Sequence, residues 1–160
     1  MVEDVVVATA VALVVTTSFP FYLYGAWYII NQPIVTWDVL VHHLKFVVTG
    51  LVLNTIPVVG WMAPRLFDNL SSLTALHAFL GLQAYAMLLF GFWGIVRIFQ
   101  AKRAADLYDD PDQDVSIDEL HENMGKWRTR LRVGVFGYVF FWILAYVVGV
   151  ARYVKWYSIL

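Results

Sequence analysis

Long apolar stretches alternate with short polar ones along the chain, and this alternation predicts an all-α membrane protein. Crossing about 30 Å of hydrocarbon takes about 20 predominantly apolar residues in a helix. Four stretches are long enough, roughly residues 5–30, 39–63, 73–99 and 131–154. Short connectors make consecutive helices antiparallel neighbours. We therefore expect a single domain, residues 1–160, folded as an up-and-down bundle of four transmembrane helices.

Individual residues suggest where these helices begin and bend. We expect Asp38 to be the N-cap of the second span and Ser71 or Ser72 that of the third, because short polar side chains accept bonds from free backbone N–H groups. Pro20 and Pro57 lie inside the first and second spans. Membrane helices tolerate proline in such positions and bend there.

The polar segment before the fourth span has a helical pattern of its own. Ser116 and Glu119 form an S-x-x-E capping box. Apolar residues then recur at helical spacing on one face: Ile117, Leu120, Met124, Trp127 and Leu131. The pattern predicts a short cytoplasmic amphipathic helix over residues 116–130, which lies at the membrane surface.

The distribution of basic residues predicts the orientation. Seven of the eleven lysines and arginines lie within residues 97–132. Cytoplasmic loops carry an excess of lysine and arginine, so the loop 100–130 should be cytoplasmic. The chain then crosses the cell membrane four times and has both its N-terminus and its C-terminus outside.

Composition excludes several kinds of chemistry. The chain is 61% hydrophobic and 14% charged, and it has no cysteine. Disulfides, thiolate metal sites, iron–sulfur clusters and a catalytic thiol are therefore excluded. Asp outnumbers Glu nine to three, which indicates either a halophilic source or an ordinary charged loop. We expect the lipid bilayer and other membrane subunits as partners, and no nucleic acid.

The four histidines are the candidate cofactor ligands: His42, His43, His77 and His121. Facing helices of a bundle commonly hold a b-type haem between two histidines. Depth in the membrane favours His43, or its neighbour His42, with His121 near the cytoplasmic face. His77 begins a span on the opposite side and cannot share that iron. The alternative is that these are boundary histidines bonded to backbone, water or lipid headgroups.

Small residues follow one face of the third span and one of the fourth: Gly81, Ala84, Gly91, Gly94, Gly134, Ala145 and Gly149. Small residues let membrane helices approach closely. A flat macrocycle would need similarly small neighbours, so the pattern fits either close packing or a haem.

Two segments carry a resemblance to a known group. "LHAFLGLQAYAMLLF" (76–90) and the stretch 126–154, which begins "KWRTRLRVGVFGY", resemble the second half of small four-helix membrane proteins associated with cytochrome oxidase assembly. They are more distantly similar to cytochrome b561-type bundles. His43, His77 and His121 match positions where histidines recur in that group.

The same resemblance has a departure. The second span ends in "GWMAPRLF", where that group has a further histidine. The resemblance implies a role linked to haem or to the respiratory chain. The acidic loop and apolar pattern also look like small membrane proteins of salt-loving archaea, a similarity that implies no particular function.

Our first functional interpretation is a non-catalytic membrane protein linked to the respiratory chain, either an oxidase-assembly factor or an accessory subunit. We expect it to bind at most one haem b, through His43 and His121. One alternative is a b-type cytochrome that carries electrons between quinol and a second acceptor. The other is a purely structural subunit of a larger membrane complex. The sequence indicates no catalytic residue and no separate metal site.

Overall fold

Four long helices make up most of the computed structural model, which describes residues 2–66, 68, 71–110 and 116–157. The helices are α1 (Val2–Ile30), α2 (Trp37–Pro57), α3 (Ser72–Ala104) and α4 (Met124–Tyr157). A π-helical turn, Val58–Met62, continues α2, and a 3₁₀ turn, Ile117–Glu119, precedes α4. The described part of the chain contains no strand, so the expected all-α class is confirmed.

Four helical stretches are long and apolar enough to cross a membrane: Glu3–Ile30, Trp37–Met62, Ser72–Ala104 and Met124–Tyr157. The predicted number of spans is therefore confirmed. Large apolar side chains point outward, and Leu23, Leu82 and Phe136 are 68, 68 and 73% exposed. The last two helices are longer than predicted, because hydropathy marks only the part of a helix that matches the hydrocarbon.

The N-cap of the second helix lies two residues before the predicted one. Thr36 is the N-cap of α2, and its hydroxyl oxygen accepts a bond from the backbone N–H of Val39, at 3.4 Å. The prediction that Asp38 caps this helix is therefore wrong. Asp38 lies in the first turn, where a negative charge is still favoured by the helix dipole.

Pro57 marks a change of helix type. It is the last residue of α2, and the π-helical turn follows it directly. In that turn the Ala63 N–H donates to the Val58 carbonyl, five residues back, at 2.8 Å. The local irregularity expected at this proline therefore takes the form of a π turn, one of the usual departures from the α-helical bonding pattern.

The end of α3 is a Schellman motif. Asp106 has φ = 57°, in the left-handed region that usually requires glycine and that aspartate tolerates better than most residues. The Leu107 N–H donates to the Lys102 carbonyl and the Asp106 N–H to the Arg103 carbonyl, both at 3.1 Å. This pattern satisfies two of the free carbonyl groups at the helix end.

The residue after this motif folds back onto α3. Tyr108 is buried, and its ring centroid lies 5.6 Å from that of Phe99. The Lys102 Nζ atom lies 4.6 Å from the centre of the Tyr108 ring. Burial raises the pKa of the Tyr108 hydroxyl, so the ring meets the ammonium as a neutral aromatic face.

The segment before α4 differs from the predicted amphipathic helix over 116–130. Within residues 116–123, all of which the structure describes, only the 3₁₀ turn at Ile117–Glu119 is helical. Ser116 precedes that turn but makes no side-chain capping bond, so the capping box does not form. Residues 124–130 are helical as the first turns of α4, and Met124 is fully buried.

The chain packs as two compact units. The first unit contains residues 1–71 with 152–160, and the second contains residues 72–151. The first unit therefore holds α1, α2 and the end of α4, whereas the second holds α3 and most of α4.

In the first unit α1 and α2 are antiparallel and touch closely. A Cβ atom on Gly25 would lie 3.1 Å from Val47 Cγ2, and one on Gly50 would lie 3.0 Å from the ring of Tyr22. Later residues of α1 thus face earlier residues of α2. The two glycines let an aliphatic side chain and an aromatic ring approach the opposite backbone.

Hydrogen bonds join the beginning of α1 to the end of α4. The hydroxyl groups of Thr9 and Tyr153 are 2.7 Å apart. The Tyr157 hydroxyl donates to the Asp4 carbonyl at 3.3 Å. Residues near the two ends of the chain therefore lie side by side.

In the second unit α3 and α4 are antiparallel and their backbones are in contact. A Cβ atom on Gly94 would lie 2.7 Å from the Trp127 carbonyl oxygen, and one on Gly134 would overlap the backbone of Gly91. Of the two interpretations of these small residues, close helix packing is the one that the structure shows at Gly91, Gly94 and Gly134. Gly81 is different, because a Cβ atom there would have no neighbour within 4 Å.

We predict that Gly134→Ala destabilises the second unit. The added methyl group has no room against the Gly91 backbone, and forcing extra atoms into a packed interface typically costs about 1–3 kcal/mol. The thermal midpoint of the full chain in detergent should fall. Gly81→Ala is the matched control on α3, where the methyl group meets open space and should leave the midpoint unchanged or raise it. Equal midpoints for the two variants would contradict the backbone contact.

Candidate functional site

The four candidate histidines are divided between the two units. His42 and His43 lie on α2 in the first unit. His77 lies near the beginning of α3 and His121 just before α4, both in the second unit. Each histidine has a defined local environment.

His43 bonds to the neighbouring helix. Its Nδ1 atom is 2.8 Å from the carbonyl oxygen of Gly25 on α1. A carbonyl only accepts, so Nδ1 is the donor and the neutral ring carries its lone pair on Nε2. An Nδ1–H bond to a backbone carbonyl is also the partner that commonly orients a metal-ligating histidine. The contact is therefore an interhelical bond that also leaves Nε2 as an acceptor.

His42 lies in a cluster of aromatic rings. Its ring centroid is 4.2 Å from that of Tyr28, 5.2 Å from that of Phe46 and 6.1 Å from that of Tyr24. The Tyr24 hydroxyl is 3.5 Å from His42 Nε2, at the outer limit of a hydrogen bond. These contacts pack the His42 ring between α1 and α2.

His77 packs on a glycine of the opposite helix. A Cβ atom on Gly149 would lie 3.1 Å from His77 Cε1 and 3.2 Å from its Nε2. The glycine therefore provides the space that the imidazole ring occupies beside α4. Thr74, one turn earlier on α3, is 1% exposed, so this end of α3 carries buried polar groups.

His121 works as a cap for the start of α4. Its Nδ1 accepts a bond from the Asn123 backbone N–H at 3.0 Å, and its carbonyl accepts from the Met124 N–H at 2.9 Å. Since Nδ1 accepts, the neutral ring carries its proton on Nε2. The ring centroid also lies 4.4 Å from that of Trp127. The tautomer of His121 is thus opposite to that of His43.

The structure separates His77 from His121. His77 contacts Gly149, about 25 residues beyond Met124, which corresponds to about 37 Å along a helix. These two cannot share an iron, as the sequence predicted. His43 and His121 belong to different units, and their pairing as haem ligands stays a prediction. No group of three histidine or carboxylate residues within the described ranges is arranged to hold a metal ion.

Sequence reasoning missed the partners of these histidines. It did not identify the Gly25 carbonyl as the acceptor for His43, because a backbone group leaves no compositional signal. Tyr24 and Tyr28 have the spacing of helix neighbours, four residues apart, and this spacing was the available signal for the cluster around His42. The capping role of His121 has no established sequence pattern.

We predict different effects for substitutions at the two adjacent histidines. His43→Phe removes the bond to Gly25 and should lower the free energy of unfolding by about 1 kcal/mol, the usual size of such a bond. His42→Phe is the matched control, because phenylalanine preserves the aromatic contacts and should change the free energy by less than about 0.5 kcal/mol. Denaturant titration of the full chain in detergent measures both values. A larger loss for His42→Phe than for His43→Phe would contradict these environments.

Comparisons with known protein families place the chain in a described family. A family model described as a domain of unknown function (DUF7321) matches residues 4–158, nearly the whole chain. No curated protein and no solved structure matches.

Proposed function

The chain belongs to the DUF7321 family, and from this premise we propose that it is a non-catalytic subunit of the cell membrane that contributes packing surfaces to a larger complex. The observation that supports the proposal is that each histidine either contacts a neighbouring helix or caps the start of one. His43 bonds to α1, His42 stacks on aromatic rings, His77 packs on α4 and His121 caps α4. These contacts assign the histidines to packing within the chain, whereas exposed apolar side chains such as Leu82 and Phe136 are the surface that other subunits could contact.

We further propose that the complex belongs to the respiratory chain, with this chain as an accessory subunit or an oxidase-assembly factor. This step rests on the resemblance of residues 76–90 and 126–154 to proteins of oxidase assembly.

The proposed topology is an up-and-down bundle with both termini outside and the segment 100–130 in the cytoplasm. It is supported by the antiparallel contacts of α1 with α2 and of α3 with α4. The bond between Tyr157 and Asp4 agrees with termini on the same side. The excess of basic residues within 97–132 supports the cytoplasmic placement of this segment. We propose that the first turns of α4, from Met124 onward, lie at the membrane surface.

A second candidate function is a b-type cytochrome, favoured by the tautomer of His43. The Nε2 lone pair of that ring is the group that an iron would take. His121 fits less well, because its Nδ1 accepts from Asn123 and its Nε2 therefore carries the proton. When bound, a haem would supply one-electron transfer. His121 could ligate through Nε2 only after giving up the bond that caps α4.

A visible spectrum separates the two candidates. We predict that the purified full chain, expressed with adequate haem, gives no α-band in a dithionite-reduced minus oxidised spectrum. His43→Ala and His121→Ala should then match the wild type. A sharp α-band at near-unit haem stoichiometry, lost in both variants, would overturn the packing role and establish the cytochrome.

The respiratory link is tested by a separate experiment. Membranes from cells that lack this chain should have reduced terminal-oxidase activity per amount of membrane protein, and the wild-type chain should restore it. Unchanged oxidase activity would remove the respiratory assignment and leave the packing role to be tested in another complex.

A further inference from the structure

An open groove runs between α3 and α4 in the second unit, with a volume of about 380 Å³. It is lined by Phe90, Gly125, Lys126, Thr129, Arg130 and Val133, and we call it the basic groove. Its volume is within the range of ligand clefts, about 300–1,000 Å³. The proposed function makes no use of it.

The mouth of the basic groove is positively charged. Lys126 and Arg130 are four residues apart on α4, so they lie on one face of the helix. The Arg130 guanidinium lies 5.1 Å from the centre of the Phe90 ring, which holds the cation over the groove. None of the residues that line the groove carries a carboxylate. Two cations therefore face the same opening without a counter-ion from its walls.

In a neighbouring groove, one of the arginines is already paired with a carboxylate of the chain. It shares Gly125 and Thr129 with the basic groove but is lined otherwise by Asp118, Arg128 and Arg132. The Arg128 Nη1 atom is 2.6 Å from Asp118 Oδ1. That groove contains its own anion, so an external anion is favoured in the basic groove instead.

The inner wall of the basic groove is apolar. Val133 lies seven residues beyond Lys126, about 10 Å further along the helix. Phe90 and Val133 are 44 and 47% exposed. Two cations next to accessible apolar surface match the two parts of a phospholipid, a charged phosphate followed by acyl chains.

We propose that the basic groove binds one anionic phospholipid of the surrounding membrane. Its phosphate lies between Lys126 and Arg130, which supply charge-assisted donors, and an acyl chain follows Phe90 and Val133. Basic pockets between membrane helices on the cytoplasmic side bind lipid headgroups in the same way. The site would fix the start of α4 at the headgroup level.

Two variants test the groove from different directions. Lys126→Gln with Arg130→Gln removes the cations. Gly125→Leu keeps every charge and fills the groove, and it should fold because a Cβ atom on Gly125 has no neighbour within 4 Å. Arg97→Gln with Arg103→Gln is the matched charge control, since both residues are exposed on α3 outside the groove.

Native mass spectrometry of the full chain in detergent provides the measurement, with phosphatidylglycerol as the probe and phosphatidylcholine as the neutral comparison. The wild type should retain one phosphatidylglycerol in preference to phosphatidylcholine. Affinity for phosphatidylglycerol should fall roughly tenfold in the Lys126/Arg130 double variant and should also fall in Gly125→Leu. The Arg97/Arg103 control should bind like the wild type.

Four results would overturn the proposal. The first is a wild type that binds both lipids equally. The second is an equal loss in the Arg97/Arg103 control, because binding would then follow net charge alone. The third is undiminished binding by Gly125→Leu, because the lipid would then lie outside the groove. The fourth is displacement of the lipid by inorganic phosphate at matched concentration, which would indicate a site for free anions instead of a lipid.

Discussion

The weak hydrophobic drive for helix association in lipid is the constraint on which the rest of the structure depends. Acyl chains are as apolar as leucine, so membrane helices associate through close van der Waals contact and polar bonds. In the second unit the closest contact is backbone to backbone, at Gly91 and Gly134. In the first unit, Gly25 has both a close approach to Val47 and the bond to His43. Each helix pair thus combines small residues with a histidine contact.

This constraint explains why some polar side chains are fully buried while many large apolar side chains point outward. Ser18, Asn54 and Thr74 are among the most buried residues, whereas Leu23 and Phe136 are largely exposed. In a water-soluble protein, polar side chains would mostly lie on the surface and large apolar side chains in the interior. A histidine between two such helices therefore stabilises their association through hydrogen bonds and close packing. This is the physical reason for preferring a packing role to a redox one.

The sequence was a good guide to whatever depends on composition over a long window. The four spans follow from mean apolarity over about 20 residues, and the close approach at Gly91 and Gly134 follows from small residues on one helix face. Gly81 lies on the same predicted face but meets no neighbour. Two crossing helices touch over a limited length, and sequence spacing alone does not say where that length ends.

Features that depend on individual hydrogen bonds were harder to predict from the sequence. Asp38 and Thr36 are both good caps, and only the bond from Val39 decides in favour of Thr36. The end of α3 at Asp106 uses a left-handed conformation without glycine, so the usual signal is missing. The histidine tautomers depend on Gly25 and on the Asn123 N–H, backbone groups that every sequence contains.

The ring nitrogens of His43 and His121 provide the most direct test, because each ring makes its own structural hydrogen bond. We would measure the ¹⁵N chemical shifts of the imidazoles in the full, detergent-solubilised chain, at a pH where the rings are neutral. The bonds to the Gly25 carbonyl and from the Asn123 N–H predict a protonated Nδ1 for His43 and a protonated Nε2 for His121. The same tautomer at both residues, or shifts for His43 that are unchanged when its bond to α1 is broken by unfolding, would contradict this prediction.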